Sequence, residues 1–228
     1  MRNRPDTVML FCAGRGTRMG TLTNDRPKPM VEVAGRPLVD HALDQVAAIP
    51  TKIANTHYLP EALDSHLSQR GVKTIFEPQL LETGGGLKNA APHIKGDAVF
   101  TMNTDAVWLS GHAVDALLTA WNPDVMDALL LTVPHGRAHG HLGSGDFSMA
   151  ADGQLNRGGD LVYTGLQIIK LAPVVAIEDT AFSMNVVWNA IHEKSRLFGA
   201  VFDGAWCDVG HPEGIASAEA ALRGDTHV

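Results

Sequence analysis

Short apolar runs and amphipathic stretches alternate along most of the chain. "TVMLFCA" (7–13) is an apolar run ended by glycine, which predicts a buried strand. "PLVDHALDQVAAI" (37–49) carries Leu38, Ala42, Val46 and Ile49 at helical spacing, with Pro37 suited to a first turn. "TKIANTHY" then reads as a strand, "PEALDSHLSQR" as a helix stopped by Gly71, and "VKTIFE" as a third strand. "GLKNAAPHI" predicts a short helix, "DAVFTMN" (97–103) a strand, "HAVDALLTAW" a helix and "DALLLTV" (127–133) another strand. This alternation predicts an α/β fold: a Rossmann-like mixed, mainly parallel sheet with helices on both faces.

Beyond residue 134 the regularity weakens. "PHGRAHGHLGSGDF", rich in Gly and His, reads as a loop. "LVYTGLQIIK" is strand-like, "MNVVWNAIHEK" helical, "LFGAVFDGAWCDVG" one or two strands, and "PEGIASAEAALRG" a closing helix. The expectation is one domain over residues 1–228, with a first half of about 1–110 and a second half of about 111–228 facing it across a cleft. Ligands of such sheets sit beyond the carboxyl ends of the strands.

Composition narrows the partners. The 228 residues are 45% hydrophobic and 19% charged, ordinary for a globular chain. The net charge of −7 disfavours nucleic acid and anionic membranes. The apolar run near the N-terminus is too short for a secretory signal, and no run approaches a membrane span. A cytoplasmic protein is expected, with Cys12 and Cys207 as reduced thiols. The sequence assigns no oligomeric state. His135, His139 and His141 lack the regular spacing of a zinc site and read as loop residues. Met19, Met30 and Met102 read as packing residues.

Against the acidic background, residues 13–28 gather Arg15, Arg18, Arg26 and Lys28 around Gly14 and Gly16. Glycine allows close backbone approach and arginine favours an anion, so a phosphate is the natural ligand. The segment is not a Walker A loop, because no GK[ST] follows. It is not the dinucleotide fingerprint either: counting G-x-G-x-x-G from Gly14 ends on Met19. That weighs against an NAD-dependent oxidoreductase.

"AGRGTRM" followed by "RPKPM" resembles the signature of the sugar-1-phosphate nucleotidylyltransferases, a G-x-G-T-R-[ML] loop with a later P-K-[PA]. "LETGGGLKNA" (81–90) is similar to that family's base-contacting segment, "MNTDAVW" to its N-G-D metal segment, "YTGLQII" (163–169) to its sugar-facing strand, and "WCDVGHPE" (206–213) to its W-x-D-[VI]-G-T-P-E close. L-E-T-G-G-G is most similar to the N-acetylmuramic acid 1-phosphate uridylyltransferases of cell-wall recycling.

The resemblance implies the nucleotide-diphospho-sugar transferase fold, with nucleotide bound by the first half and sugar by the second. It implies that a nucleoside triphosphate, UTP foremost, joins a sugar 1-phosphate with release of pyrophosphate. Guanylyl transfer to mannose 1-phosphate and a catalytically silent nucleotide sensor are the alternatives. Ala13, Gly14, Gly16, Thr17, Arg18 and Lys28 would hold the triphosphate, with Arg18 and Lys28 catalytic and Arg15 only flanking. Glu82, Gly84, Gly85 and Gly86 would frame the base. Asn103, Asp146, Thr164 and Gly165 would meet the sugar phosphate or sugar ring. Asp105 and Asp208 would bind Mg2+.

Four departures stand out. Thr104 replaces the glycine of N-G-D, and His211 stands where threonine is common. The E-K-P segment, whose lysine holds the sugar phosphate in many relatives, is missing. Ser183 stands where muramic-type enzymes carry a lysine, so a second phosphate-binding cation is unassigned, with Lys170 and Arg157 as candidates.

Overall fold

The computed structural model describes residues 4–109 and 112–224. The first three residues of the chain, and the expected division between halves at 110/111, lie outside them.

The Thr7–Phe11 strand pairs in parallel with Thr51–Thr56 on one side and Ala98–Asn103 on the other. Thr51–Thr56 pairs in parallel with Lys73–Phe76. Its alternation builds two cores. Val8 and Leu10 face one cluster with Val39, Ala42, Leu63, Leu67, Leu117 and Trp121. Met9 faces the other, with Leu87, Ala90, Val187 and Ile191. Helices Leu38–Gln45, Pro60–Ser68 and Ala113–Ala120 therefore cover one face, and Glu82–Ala90 and Met184–His192 the other. Side chains on both faces explain why these strands are apolar runs rather than alternating ones.

Among the described residues the sheet has nine strands and is mixed. Leu161–Lys170 runs antiparallel to its neighbours. One edge pairs with Ala128–Pro134, which in turn pairs in parallel with Leu197–Val201. The other edge is divided. Leu166–Lys170 pairs with Ala98–Asn103, whereas Leu161 pairs with Phe147 of the Phe147–Met149 strand. Residues 162–165 have no strand partner on that edge, and the register with Ala128–Pro134 shifts between Tyr163 and Gln167. The gap opens a cleft in the sheet.

A smaller sheet forms the wall beside it. Trp206–Asp208 lies antiparallel to Ala106–Trp108 and parallel to Ala138–His139. The loop expected over 134–147 thus contributes the short strand Ala138–His139 and leads into Phe147–Met149. No helix among the described residues is long and apolar enough to cross a membrane.

Candidate active site

Two adjoining cavities lie at the carboxyl ends of the parallel strands. The first, about 210 Å³, is lined by Ala13, Gly14, Lys28, Glu82, Asn103 and Asp105 among others. The second, about 540 Å³, includes Arg18, Asn103, Asp146, Arg157, Tyr163 and Ser183. Phe11, Thr83 and Asn103 line both.

The glycine–arginine segment leaves its strand at Phe11. The Cys12 N–H donates to Asn55 Oδ1 at 2.9 Å, fixing the start of the loop. A Cβ on Gly14 would meet nothing within 4 Å, so this glycine is open to a ligand. Gly16 has another task. Its φ is +65°, and a Cβ there would lie 2.8 Å from Lys28 Cβ and 3.0 Å from Thr23 Cγ2. Only glycine lets the loop turn left-handed over the lysine stem. Thr17 opens the 3-10 segment Thr17–Thr23, and neither it nor Gly16 lines a cavity. Arg15 is exposed and flanking.

Pro27 and Pro29 set the short turn Lys28–Met30, and the lysine reaches across to Asp105. Lys28 Nζ donates to Asp105 Oδ2 at 2.8 Å. Burial alone would raise the Asp105 pKa. The charge and hydrogen bond of Lys28, with the charge of Arg18, hold it below its ordinary value. Asp208 is brought alongside by the small sheet: it sits opposite Ala106, and the Val209 N–H donates to the Asp105 carbonyl at 2.8 Å. Asp208 Oδ1 accepts from the Gly210 N–H at 2.7 Å, and Oδ2 lies 3.5 Å from His141 Nδ1. Arg18 belongs to the same corner, since a Cβ on Gly210 would lie 3.4 Å from its Nη1.

Thr104 is turned into the protein. Its hydroxyl donates to the Phe11 carbonyl at 2.9 Å and accepts from the Cys12 thiol at 3.8 Å. The threonine in place of glycine therefore ties the ends of two strands together. Burial, opposed by that hydrogen bond, pushes the Cys12 thiol up to about 12.

On the opposite wall, Asn55 Nδ2 donates to Glu77 Oε1 at 2.8 Å, and the Leu81 N–H donates to Glu77 Oε2 at 3.3 Å. Glu77 is fully buried, and burial pushes its carboxyl up against those hydrogen bonds. Cys12, Asn55, Glu77 and Leu81 thus form one chain of hydrogen bonds beneath the first cavity. Glu82 follows at φ +60° and lines that cavity. The helix begins at Glu82, not at Gly86 as the sequence suggests. Gly84 and Gly85 are buried inside it, and both N–H groups donate to the Phe182 carbonyl. A Cβ on Gly84 would strike the Phe182 ring, and one on Gly85 the Thr180 carbonyl oxygen. A Cβ on Gly86 would lie 2.7 Å from Asn55 Nδ2 and 2.9 Å from Glu77 Oε1. The glycines admit neighbouring protein, and the cavity wall beside them is made by Glu82 and Thr83.

Among the sugar-facing candidates, Asn103 and Asp146 line the second cavity. Asp146 Oδ2 accepts from the Tyr163 N–H at 2.8 Å, capping the unpaired strand edge. Thr164 points into the core, where its hydroxyl donates to the Leu131 carbonyl. Gly165, at φ +87°, packs its backbone against Asn103, and it lines neither cavity. Lys170 lies away from both cavities, bonded to Asp127 and the Pro123 carbonyl. Arg157 is in the second cavity. Ser183 lines the same cavity and caps helix Met184–His192, its Oγ accepting from the Asn185 N–H.

The histidine loop is anchored. His135 Nε2 bonds the Gly143 carbonyl, and His211 bonds both the Gly140 carbonyl and Glu213. His211 thereby joins the closing helix to the loop. Among the described residues no group of three or more His, Cys, Asp or Glu could hold a metal ion.

Sequence reasoning passed over Asn55, Glu77, Thr83, Tyr163, Gln167 and Trp188. Glu77 had a legible signal, since it ends a predicted strand, and Asn55 lies near the end of the observed one. The others depend on the gap in the sheet, which no local pattern announces.

Residues 8–202 match the family model of the MobA-like NTP transferase domain. The chain belongs to that family. As a MobA-like NTP transferase it is 37% identical to the N-acetylmuramate alpha-1-phosphate uridylyltransferase of Caulobacter vibrioides, over 97% of this chain and 99% of that relative. It is 28% identical to the protein of the same description from Neisseria meningitidis serogroup B, over 89% of this chain and 92% of the relative. Its fold is that of HddC from Yersinia pseudotuberculosis complexed with GMP-PN: TM-score 0.75, 20% identity, 97% of this chain and all of the other. A UDP-glucose pyrophosphorylase complexed with UDP-glucose is similar at a TM-score of 0.78, 13% identity and the same coverage. The nucleotidylyltransferase resemblance and the fold expected from sequence are both borne out.

Proposed function

We propose that this chain joins UTP to N-acetylmuramate α-1-phosphate, giving the UDP-sugar and pyrophosphate. The full-length 37% identity to the Caulobacter vibrioides enzyme is the observation that carries the substrate pair. The first half, with Gly14, Arg18 and Lys28, would take the triphosphate, and the second half the sugar. The cytoplasm, where nucleoside triphosphates are held, belongs to the same reading.

The chemistry needs little beyond position and charge. An oxygen of the sugar phosphate attacks the α-phosphorus of UTP in line, and the bond to the β-phosphate oxygen breaks. The nucleophile is already an anion, so no general base is required. The protein must hold two polyanions together and offset the charge that moves to pyrophosphate. Lys28 would supply a point charge from the first cavity and Arg18 a planar fork from the second.

Asp105 and Asp208 fit magnesium: two partly exposed carboxylates, one just before the Ala106–Trp108 strand and one ending the strand paired with it, with no third protein ligand among the described residues. Magnesium takes one or two carboxylates and completes its octahedron with phosphate and water. Bound there, it would draw charge from the phosphates. Pyrophosphate release measured with each of the four common triphosphates against a panel of sugar 1-phosphates tests the reading. UTP with N-acetylmuramate 1-phosphate should give the highest kcat/KM.

A further inference from the structure

N-acetylmuramate 1-phosphate is, by its name, a doubly anionic sugar: a phosphate at one end and a carboxylate at another. Cations reach the cleft from two parts of the fold. Lys28 and Arg18 stand beside Asp105 and Asp208, where the phosphates must react. Arg157 stands at the far end of the gap in the sheet. It pairs with Phe147, which is joined to Leu161, whereas Asn103 abuts Gly165. Four residues of strand separate those two points, roughly 13 Å at the usual rise. That span suits a pyranose with its substituents.

Arg157 is built to hold an anion there. Its guanidinium lies 4.9 Å from the centre of the Phe147 ring and 5.5 Å from that of Trp188. Nε and Nη2 donate to Asn189 Oδ1, and Nη2 also to the Asn185 carbonyl. These contacts fix the plane of the group. Nη1 makes no hydrogen bond to the described residues. Asp146 lines the same cavity and supports the positive charge, while burial pushes the guanidinium pKa down. Ser183, the helix cap where muramic-type enzymes carry a lysine, lines this cavity too, so here a strand residue, Arg157, brings the cation to that wall.

We propose that Arg157 reads the carboxylate of the muramate substrate and is a specificity-determining residue, an inference that rests on the substrate assigned above. The test compares N-acetylmuramate 1-phosphate with its carboxyl methyl ester, using wild type, Arg157→Met and Arg157→Lys. In wild type the ester should show a KM raised roughly 10- to 100-fold, the scale of one charge-assisted pair. Arg157→Met should raise KM for the acid by the same factor and leave the ester unchanged. KM for UTP should hold in both, and Arg157→Lys should recover part of the loss. Equal effects of Arg157→Met on acid and ester would overturn the proposal, as would no effect on either. A wild type that uses neither, but turns over another sugar phosphate, would overturn the substrate assignment and this inference with it.

Discussion

Lys28 Nζ donates to Asp105 Oδ2 across 2.8 Å, so the lysine proposed for phosphate and the aspartate proposed for metal neutralise each other. The lysine is mostly buried, with 12% of its side chain exposed. Lys28→Met should therefore do two things. Turnover should fall by about 10²-fold or more, as when one preorganised charge partner is lost. Stability should also drop, by roughly 2–3 kcal/mol, because Asp105 is left partly buried and unpaired. Adding Asp105→Asn should restore most of the stability and none of the activity. Urea unfolding of the three variants measures the coupling. Additive stability losses would mean that the pair is not coupled.

The same pair dictates an acid dependence. The folded pKa of Asp105 lies below its unfolded value, near 3.9. Its stabilisation is therefore complete above the unfolded pKa and fades as pH falls through the folded one. The difference in urea midpoint between wild type and Asp105→Asn should be constant from pH 6 to 8 and shrink below about pH 4. A difference unchanged at pH 3 would show that this carboxylate is not ionised preferentially in the fold.

The glycine triplet gives a structural prediction. Gly85→Ala places a Cβ 2.3 Å from the Thr180 carbonyl oxygen. The gain of about 1 kcal/mol in helix propensity is outweighed by overpacking against backbone, which costs roughly 1–3 kcal/mol or more. Gly14→Ala meets open space and should leave the melting temperature almost unmoved. Thermal denaturation of the two separates a packing glycine from one that faces open space. Equal shifts would contradict the distinction.

The strands were legible because they are apolar on both faces and bounded by glycine or proline. Leu161–Lys170 coincides with "LVYTGLQIIK" for that reason. The Glu82 helix was misread because three glycines look like a break. Phe182 and the Thr180 carbonyl fill the space they leave, and that packing comes from residues about a hundred positions away. Arg18, Lys28, Asp105 and Asp208 carry motif signals in the sequence because each ends or follows a strand or sits in a short turn. Thr164 went the other way: a strand residue's face depends on register, and the shift between Tyr163 and Gln167 is invisible locally. Arg157 could only be guessed, since its place depends on a short strand at the sheet edge. Its rival Lys170 ends the Leu161–Lys170 strand and bonds Asp127.

Transfer of uridylyl to a muramate phosphate is tested most directly by following phosphorus in solution. Wild-type protein, magnesium, UTP and N-acetylmuramate 1-phosphate would be mixed and watched by 31P NMR. The account predicts loss of the sugar-phosphate and β-phosphate signals. Two coupled diphosphodiester resonances should appear together with one equivalent of pyrophosphate. Persistence of both substrates, or release of orthophosphate without a diphosphodiester, would contradict it.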